Sequence, residues 1–247
     1  AAVAKTGGVH IFVAEDRDAA AYLLNDFYNL LDEKQVYFFP SSYKRSVAYG
    51  AEDAQGVVQR TAAMNAVRGF TKGYLVVCTY PEALAERVVD AATLQRDTIA
   101  VKLGDKISIA VLEDALADAN FTRVDFVYEP GQYSVRGGIV DVFSYSESKP
   151  YRIDFFGDEV DSIRRFNISS QLSADKLDRV EIVPNLNAGE APRVSFVQFA
   201  GSGATCWFYD ADYVLRRVND LRRKVLADME EPGQIDRLLT SRNVLLR

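Results

Sequence analysis

Four strand-like stretches crowded into residues 123–167 constrain this chain more than any other feature of it. RVDFVYEP, YSVRGGIVDVFSY, PYRIDFFG and EVDSIRRFN follow one another with only EPGQ, SESK and GD at the joins. Links that short cannot carry a crossover helix, so the strands must be antiparallel neighbours. Gly157-Asp158 is a two-residue hairpin signal in its own right. Upstream, TIAVKLGDKIS alternates briefly and VLEDALADANF has the spacing of one amphipathic helix. Residues 93–168 therefore read as a small α+β domain, an antiparallel sheet crossed by one helix.

The flanks have a different texture. GGVHIFVAED, QVYFFPSSY and GYLVVCTYPEAL contain continuous apolar runs rather than alternating ones. Between them lie helical patterns, DAAAYLLNDFYNLL with Ala20, Leu23, Leu24, Phe27, Leu30 and Leu31 at helical spacing, and DAQGVVQRTAAMNAVRG closed by Gly69. A further helix is expected from Pro81. Apolar strands alternating with helices predict a parallel sheet covered on both faces. Residues 1–92 are thus the first part of an α/β domain. From 169 to 247 the same texture returns in RVEIVP, TCWFYDADYVL and the charged helix ADYVLRRVNDLRRKVLADM, which predicts that the α+β domain interrupts the α/β one. The chain does not begin with Met and ends, at EEPGQIDRLLTSRNVLLR, without a helix-stop signal, so it is expected to be a piece of something longer.

Composition excludes several classes of function. No apolar run approaches the ~18–20 residues that cross a bilayer, and AAVAKTGGVH lacks the cationic lead and apolar core of a signal peptide. A cytoplasmic protein with no membrane contact is expected. The net charge of −6 is the wrong sign for a domain built to neutralise phosphates, so nucleic acid is not the default partner. Cys78 and Cys206 lie in apolar runs and read as buried, reduced thiols. His10, the single histidine, lies in the strand VHIFV and reads as structural. With no second histidine and no recognised acidic loop, no metal site is expected. Asp154, Asp158, Glu159 and Asp161 read as solvated acids around a turn. Lys5-Thr6-Gly7-Gly8 leads into a strand instead of out of one, the reverse of a phosphate-cradling P-loop. No cofactor is expected, and no catalytic residue.

What remains is a surface. In YRIDFF one face takes Tyr151, Ile153 and Phe155, and the other takes Arg152, Asp154 and Phe156. Arginine beside an aromatic is the composition of a protein–protein hot spot. In YSVRGGIVDVF, read as one strand, Gly137-Gly138 is a fault that a β-bulge would explain. Such a bulge either aims Arg136 at the same outer face or merely leaves it solvated, and pattern alone leaves both open.

The run YEPGQYSVRGGIVDVFSYSESKPYRIDFFGDEVDSIRRFNISSQLS resembles the signature shared by the nucleotide excision repair protein UvrB and the N-terminal part of bacterial transcription-repair coupling factors. FFPSSY, VVQRTAAM, YLVVCTYPEAL, DRVEIVP and WFYDADYVLRRVNDL extend a weaker likeness over nearly the whole chain. UvrB has a DNA-clamping aromatic hairpin after the strand equivalent to YLVVCTY, whereas here Tyr80 passes directly into PEALAERVV. Asp210-Ala211-Asp212 also stands where the motor's acidic motif would carry Asp-Glu. The resemblance therefore implies a degenerate P-loop, RecA-like α/β domain interrupted by a small domain that recruits the UvrA damage-recognition protein without catalysis. On the matching positions it implies that Arg136, Arg152 and Phe156 face UvrA. It further implies that other domains of the full-length chain mask this face, and that RNA polymerase and DNA are contacted only through regions absent here. A UvrB-type ATP-dependent helicase fragment binding damaged DNA is the alternative.

Overall fold

A computed structural model describes residues 2–42, 54–186 and 191–228. The expectations for Tyr43, for the start of the second helical pattern at Asp53 and for residues 230–247 lie outside these. The chain divides into two units, one formed by 1–91 with 189–247 and the other by 92–188. Strands along the chain are β1 (Gly8–Val13), β2 (Val36–Phe38), β3 (Tyr74–Thr79) and β4 (Val88–Val89), then β5 (Ile99–Lys102), β6 (Thr122–Arg123), β7 (Gln132–Arg136), β8 (Ile139–Val142), β9 (Tyr151–Phe156), β10 (Glu159–Phe166), β11 (Ser173–Leu177) and β12 (Arg179–Ile182), and finally β13 (Arg193–Val194) and β14 (Thr205–Phe208).

The first unit is built on a parallel sheet in the order β14-β1-β3-β2. Ile11, Val13, Val76, Val77 and Cys78 on its central strands are almost wholly buried, as continuous apolar runs require. Helix Arg17–Leu30 starts at Asp16, whose carboxylate accepts from the Ala19 amide at 2.9 Å. Ala20 is its fully buried residue, while Leu30 is exposed although its spacing suggested the apolar stripe. Pro81 opens helix Pro81–Ala85 as expected. His10 is buried between strands. Its Nδ1 accepts from Trp207 Nε1 at 3.1 Å and its Nε2 lies 2.9 Å from the Gly7 carbonyl, so Nε2 carries the proton. Cys78 is buried, but Cys206 on the outer strand β14 is only half-buried.

Beneath the FFPSS turn lies a polar cluster. Arg60 stacks over Phe39 at 3.9 Å and donates to the carbonyls of Pro40, Ala83 and Glu86 at 2.8, 3.1 and 3.2 Å. The Glu86 carboxylate accepts from Ser42 Oγ at 2.7 Å, from the Ser41 hydroxyl, and from the Ser42 amide. Buried polar groups are thereby satisfied where a strand ends and a loop begins.

The second unit is a six-stranded sheet in the order β11-β10-β9-β8-β7-β6, with a separate β5–β12 pair. Helix Ile109–Asp118, capped by Ser108, packs Leu112 and Leu116 with Val140, Val142, Tyr151, Ile153 and Ile163 of the sheet and with Val101, Val180 and Ile182 of the pair. The β9–β10 hairpin turns at Gly157-Asp158, with Gly157 at φ +63°.

Three local readings change. YSVRGGIVDVF is two strands instead of one bulged strand: β7 and β8 pair antiparallel with Arg136 opposite Ile139, and Gly137-Gly138 form the turn. Gly137 has φ +59° and Gly138 does not have positive φ, the pattern of a type II′ turn, which suits the twist of a hairpin. RVDFVYEP is a strand only at its first residue, where β6 pairs parallel with β7. Beyond it, the amides of Tyr128 and Glu129 bond the Gln132 side-chain carbonyl instead of a neighbouring strand. RVEI pairs antiparallel with β5 in the second unit. The sheet is therefore antiparallel except at its β6 edge.

Candidate protein-binding face

Residues opposed in an antiparallel ladder point to the same side of the sheet. The pairings Arg136–Ile139, Ile139–Asp154, Asp141–Arg152 and Arg152–Arg164 therefore assemble one face from β7, β8, β9 and β10. Phe156 alternates in phase with Arg152 and Asp154 and joins them. The opposite face carries Val135, Val140, Ile153 and Ile163, which belong to or pack against the core.

Asp141 organises the arginines. It is 1% exposed and flanked by Val140 and Val142. Arg152 forks onto it, Nε to Oδ1 at 2.7 Å and Nη2 to Oδ2 at 2.8 Å. Arg136 Nη2 donates to the same Oδ2 at 2.6 Å. Charge-assisted, bidentate geometry of this kind is the strong form of the interaction and compensates the burial of the carboxylate. Arg152 also donates to Gln171 Oε1 at 3.0 Å and lies 4.3 Å over the Phe166 ring. Its hydrogen bonds to Asp141 raise its pKa, against the opposing effect of burial. Arg136 donates to the Asp125 carbonyl at 3.2 Å and lies 4.8 Å over the half-exposed ring of Phe126. Next along the face, Arg164 pairs with Asp154 at 2.6 Å, and Asp154 also accepts from the Ser162 hydroxyl.

Two guanidinium groups share one carboxylate, so this part of the face keeps an excess positive charge in a chain whose net charge is −6. Its geometry suits a carboxylate arriving from outside. Phe156 stands apart from the hydrogen-bonded cluster with 83% of its surface exposed, beside the turn that Phe155 fastens through its amide to the Gly138 carbonyl at 2.8 Å. Arg136 and Arg152 are thus brought together, and Phe156 shares their side of the sheet.

Asp141, Gln171, Phe126 and Phe166 were missed from sequence. An acid between two valines in a strand was itself a signal, since it demands a partner. Gln171 sits at φ +56°, uncommon for a residue other than glycine. Among the described residues no group of three or more His, Cys, Asp or Glu side chains is arranged to hold an ion. Also among the described residues, no helix is long and apolar enough to cross a membrane.

Residues 99–187 match the UvrB interaction domain family. The chain is 35% identical over 101 residues to the transcription-repair-coupling factor of Haemophilus influenzae, covering 41% of this chain and 9% of that protein. To the Escherichia coli transcription-repair-coupling factor it is 34% identical over 113 residues, 46% of this chain and 10% of the relative. To that of Bacillus subtilis it is 28% identical over 166 residues, 67% of this chain and 14% of the relative. The chain thus spans only about a tenth of the length of these curated relatives. The face described above lies wholly within the segment that matches the UvrB interaction domain family, in a chain similar to the transcription-repair-coupling factors.

Proposed function

We propose that this chain is a non-catalytic, UvrB-like module of a transcription-repair coupling factor and recruits UvrA to stalled transcription sites in nucleotide excision repair. The observation that carries the reading is the clustering of Arg136 and Arg152 around one buried carboxylate, with Phe156 exposed on the same side of the sheet. The arginine pair gives the face the charge and the N–H donors to meet acidic side chains of UvrA, and Phe156 supplies an apolar anchor. The module works by presenting to UvrA the surface that UvrB presents. On this reading the parallel-sheet unit is a RecA-like domain that has lost its motor chemistry, and the 92–188 unit is the recruiting domain inserted in it. Other domains of the full-length cytoplasmic protein cover the face until the motor engages, and contacts with RNA polymerase and DNA lie in those other regions.

The test is a pull-down of purified UvrA by the chain and by Arg136→Ala, Arg152→Ala and Phe156→Ala. Wild type is expected to retain UvrA and each variant to lose affinity by about 2 kcal/mol or more. Equal retention by all four would overturn the assignment of the face. ATP turnover, or tight and salt-sensitive DNA binding by the same chain, would favour a UvrB-type helicase fragment instead.

A further inference from the structure

Resting on that reading, we propose that Asp141 is the positioning residue of the face, and that it divides the two arginines into unequal roles. Arg136 is the one offered to the partner, and Arg152 with Asp141 forms the scaffold that holds it. Arg152 occupies both carboxylate oxygens, spends a further N–H on Gln171, covers Phe166 and keeps only 14% of its side chain exposed. Arg136 touches only Oδ2, and 36% of its side chain is exposed. A guanidinium has five N–H donors. Arg136 uses one on Asp141 and one on the Asp125 carbonyl, so the others have no partner among the described residues.

The carboxylate also makes this arrangement tolerable. Both Nη2 atoms bond the same oxygen, at 2.6 and 2.8 Å, a proximity at which two like charges repel unless a counter-charge lies between them. Asp141 sits on β8 two residues beyond its paired end at Ile139, so it is fixed by the hairpin as well as by the fork. Without the carboxylate, Arg136 keeps its charge and its place on β7 but not its direction. Pre-organisation of one long side chain is what the partner would then have to supply on binding.

Affinity for purified UvrA, measured by titration, separates this from a merely structural role. The proteins are wild type, Asp141→Asn, Arg136→Ala and the double variant, each checked for folding by its thermal melt. Asp141→Asn is expected to weaken binding roughly tenfold or more, and the double variant to bind within about twofold of Arg136→Ala alone, because the two residues act as one unit. If Asn at 141 does not fold, Arg152→Lys keeps the charge but loses the fork, and the same non-additivity with Arg136→Ala is expected. Binding by Asp141→Asn within about twofold of wild type, or losses that multiply in the double variant, would overturn the inference while leaving UvrA recruitment intact. A wild-type chain that does not bind UvrA would sink both.

Discussion

On the proposed function Arg152→Ala and Phe156→Ala should both weaken partner binding, yet they should part company in the free protein. Arg152 makes two bonds to a carboxylate whose side chain is 2% exposed, and its own side chain is 14% exposed. Removing one member of a buried ion pair costs about 3–5 kcal/mol when the other is left uncompensated. Arg136 remains on Oδ2, which lowers the expectation, while the stack on Phe166 and the bond to Gln171 are also lost. A net loss of about 2–3 kcal/mol follows. In a unit of about 100 residues each kcal/mol moves the midpoint by several degrees, so the melt of the 92–188 unit should fall by roughly 10–20 °C. Phe156, 83% exposed, should leave the melt unchanged, within about 0.5 kcal/mol of wild type. Thermal melts of the three proteins, followed by circular dichroism, decide the matter. An Arg152→Ala melt within about 3 °C of wild type, or a Phe156→Ala melt that falls as far as that of Arg152→Ala, would refute the reasoning from burial.

In the parallel-sheet unit, Arg60→Ala strips the donor from the carbonyls of Pro40, Ala83 and Glu86 and should cost about 3 kcal/mol, read by urea denaturation. Burial pushes the Cys78 thiol up to about 12. Native protein at pH 8 should therefore leave Cys78 unmodified by a thiol reagent, while half-buried Cys206 reacts and unfolding exposes both. Because the folded state holds the Cys78 proton more tightly than the unfolded chain does, its contribution to stability is complete below pH ~8.5 and is lost as pH rises towards 12. An alkaline melt series should show that decline, and a flat profile across the window would contradict it. Gly137→Ala meets no atom within 4 Å but must hold φ +59°, so it should destabilise by about 1 kcal/mol in a denaturant titration, and Gly137→Asn by less.

The layered parallel sheet was legible because strands buried on both faces must be apolar throughout, and GVHIFV and YLVVCT are close to that. The β9–β10 hairpin was legible because Gly157-Asp158 states its own turn. Gly137-Gly138 did not, since two glycines inside an apolar run suit a bulge as well as a hairpin. The choice depends on which valines are inward: a single strand puts Val135 and Ile139 on one side, whereas the hairpin opposes Val135 to Val140 and turns Ile139 outward beside Arg136. RVDFVYEP misled in a related way. Its alternation is real, with Phe126 and Tyr128 exposed and Val127 buried, but the side chain of Gln132 takes the amides that a strand would have given to its neighbour. Periodicity assigns a residue to a face and is silent about what lies across the ladder. The chemistry of this face is across the ladder: Arg136, Asp141 and Arg152 come from β7, β8 and β9, so an acid between two valines signals that it needs a partner, but which arginines it holds follows only from the register.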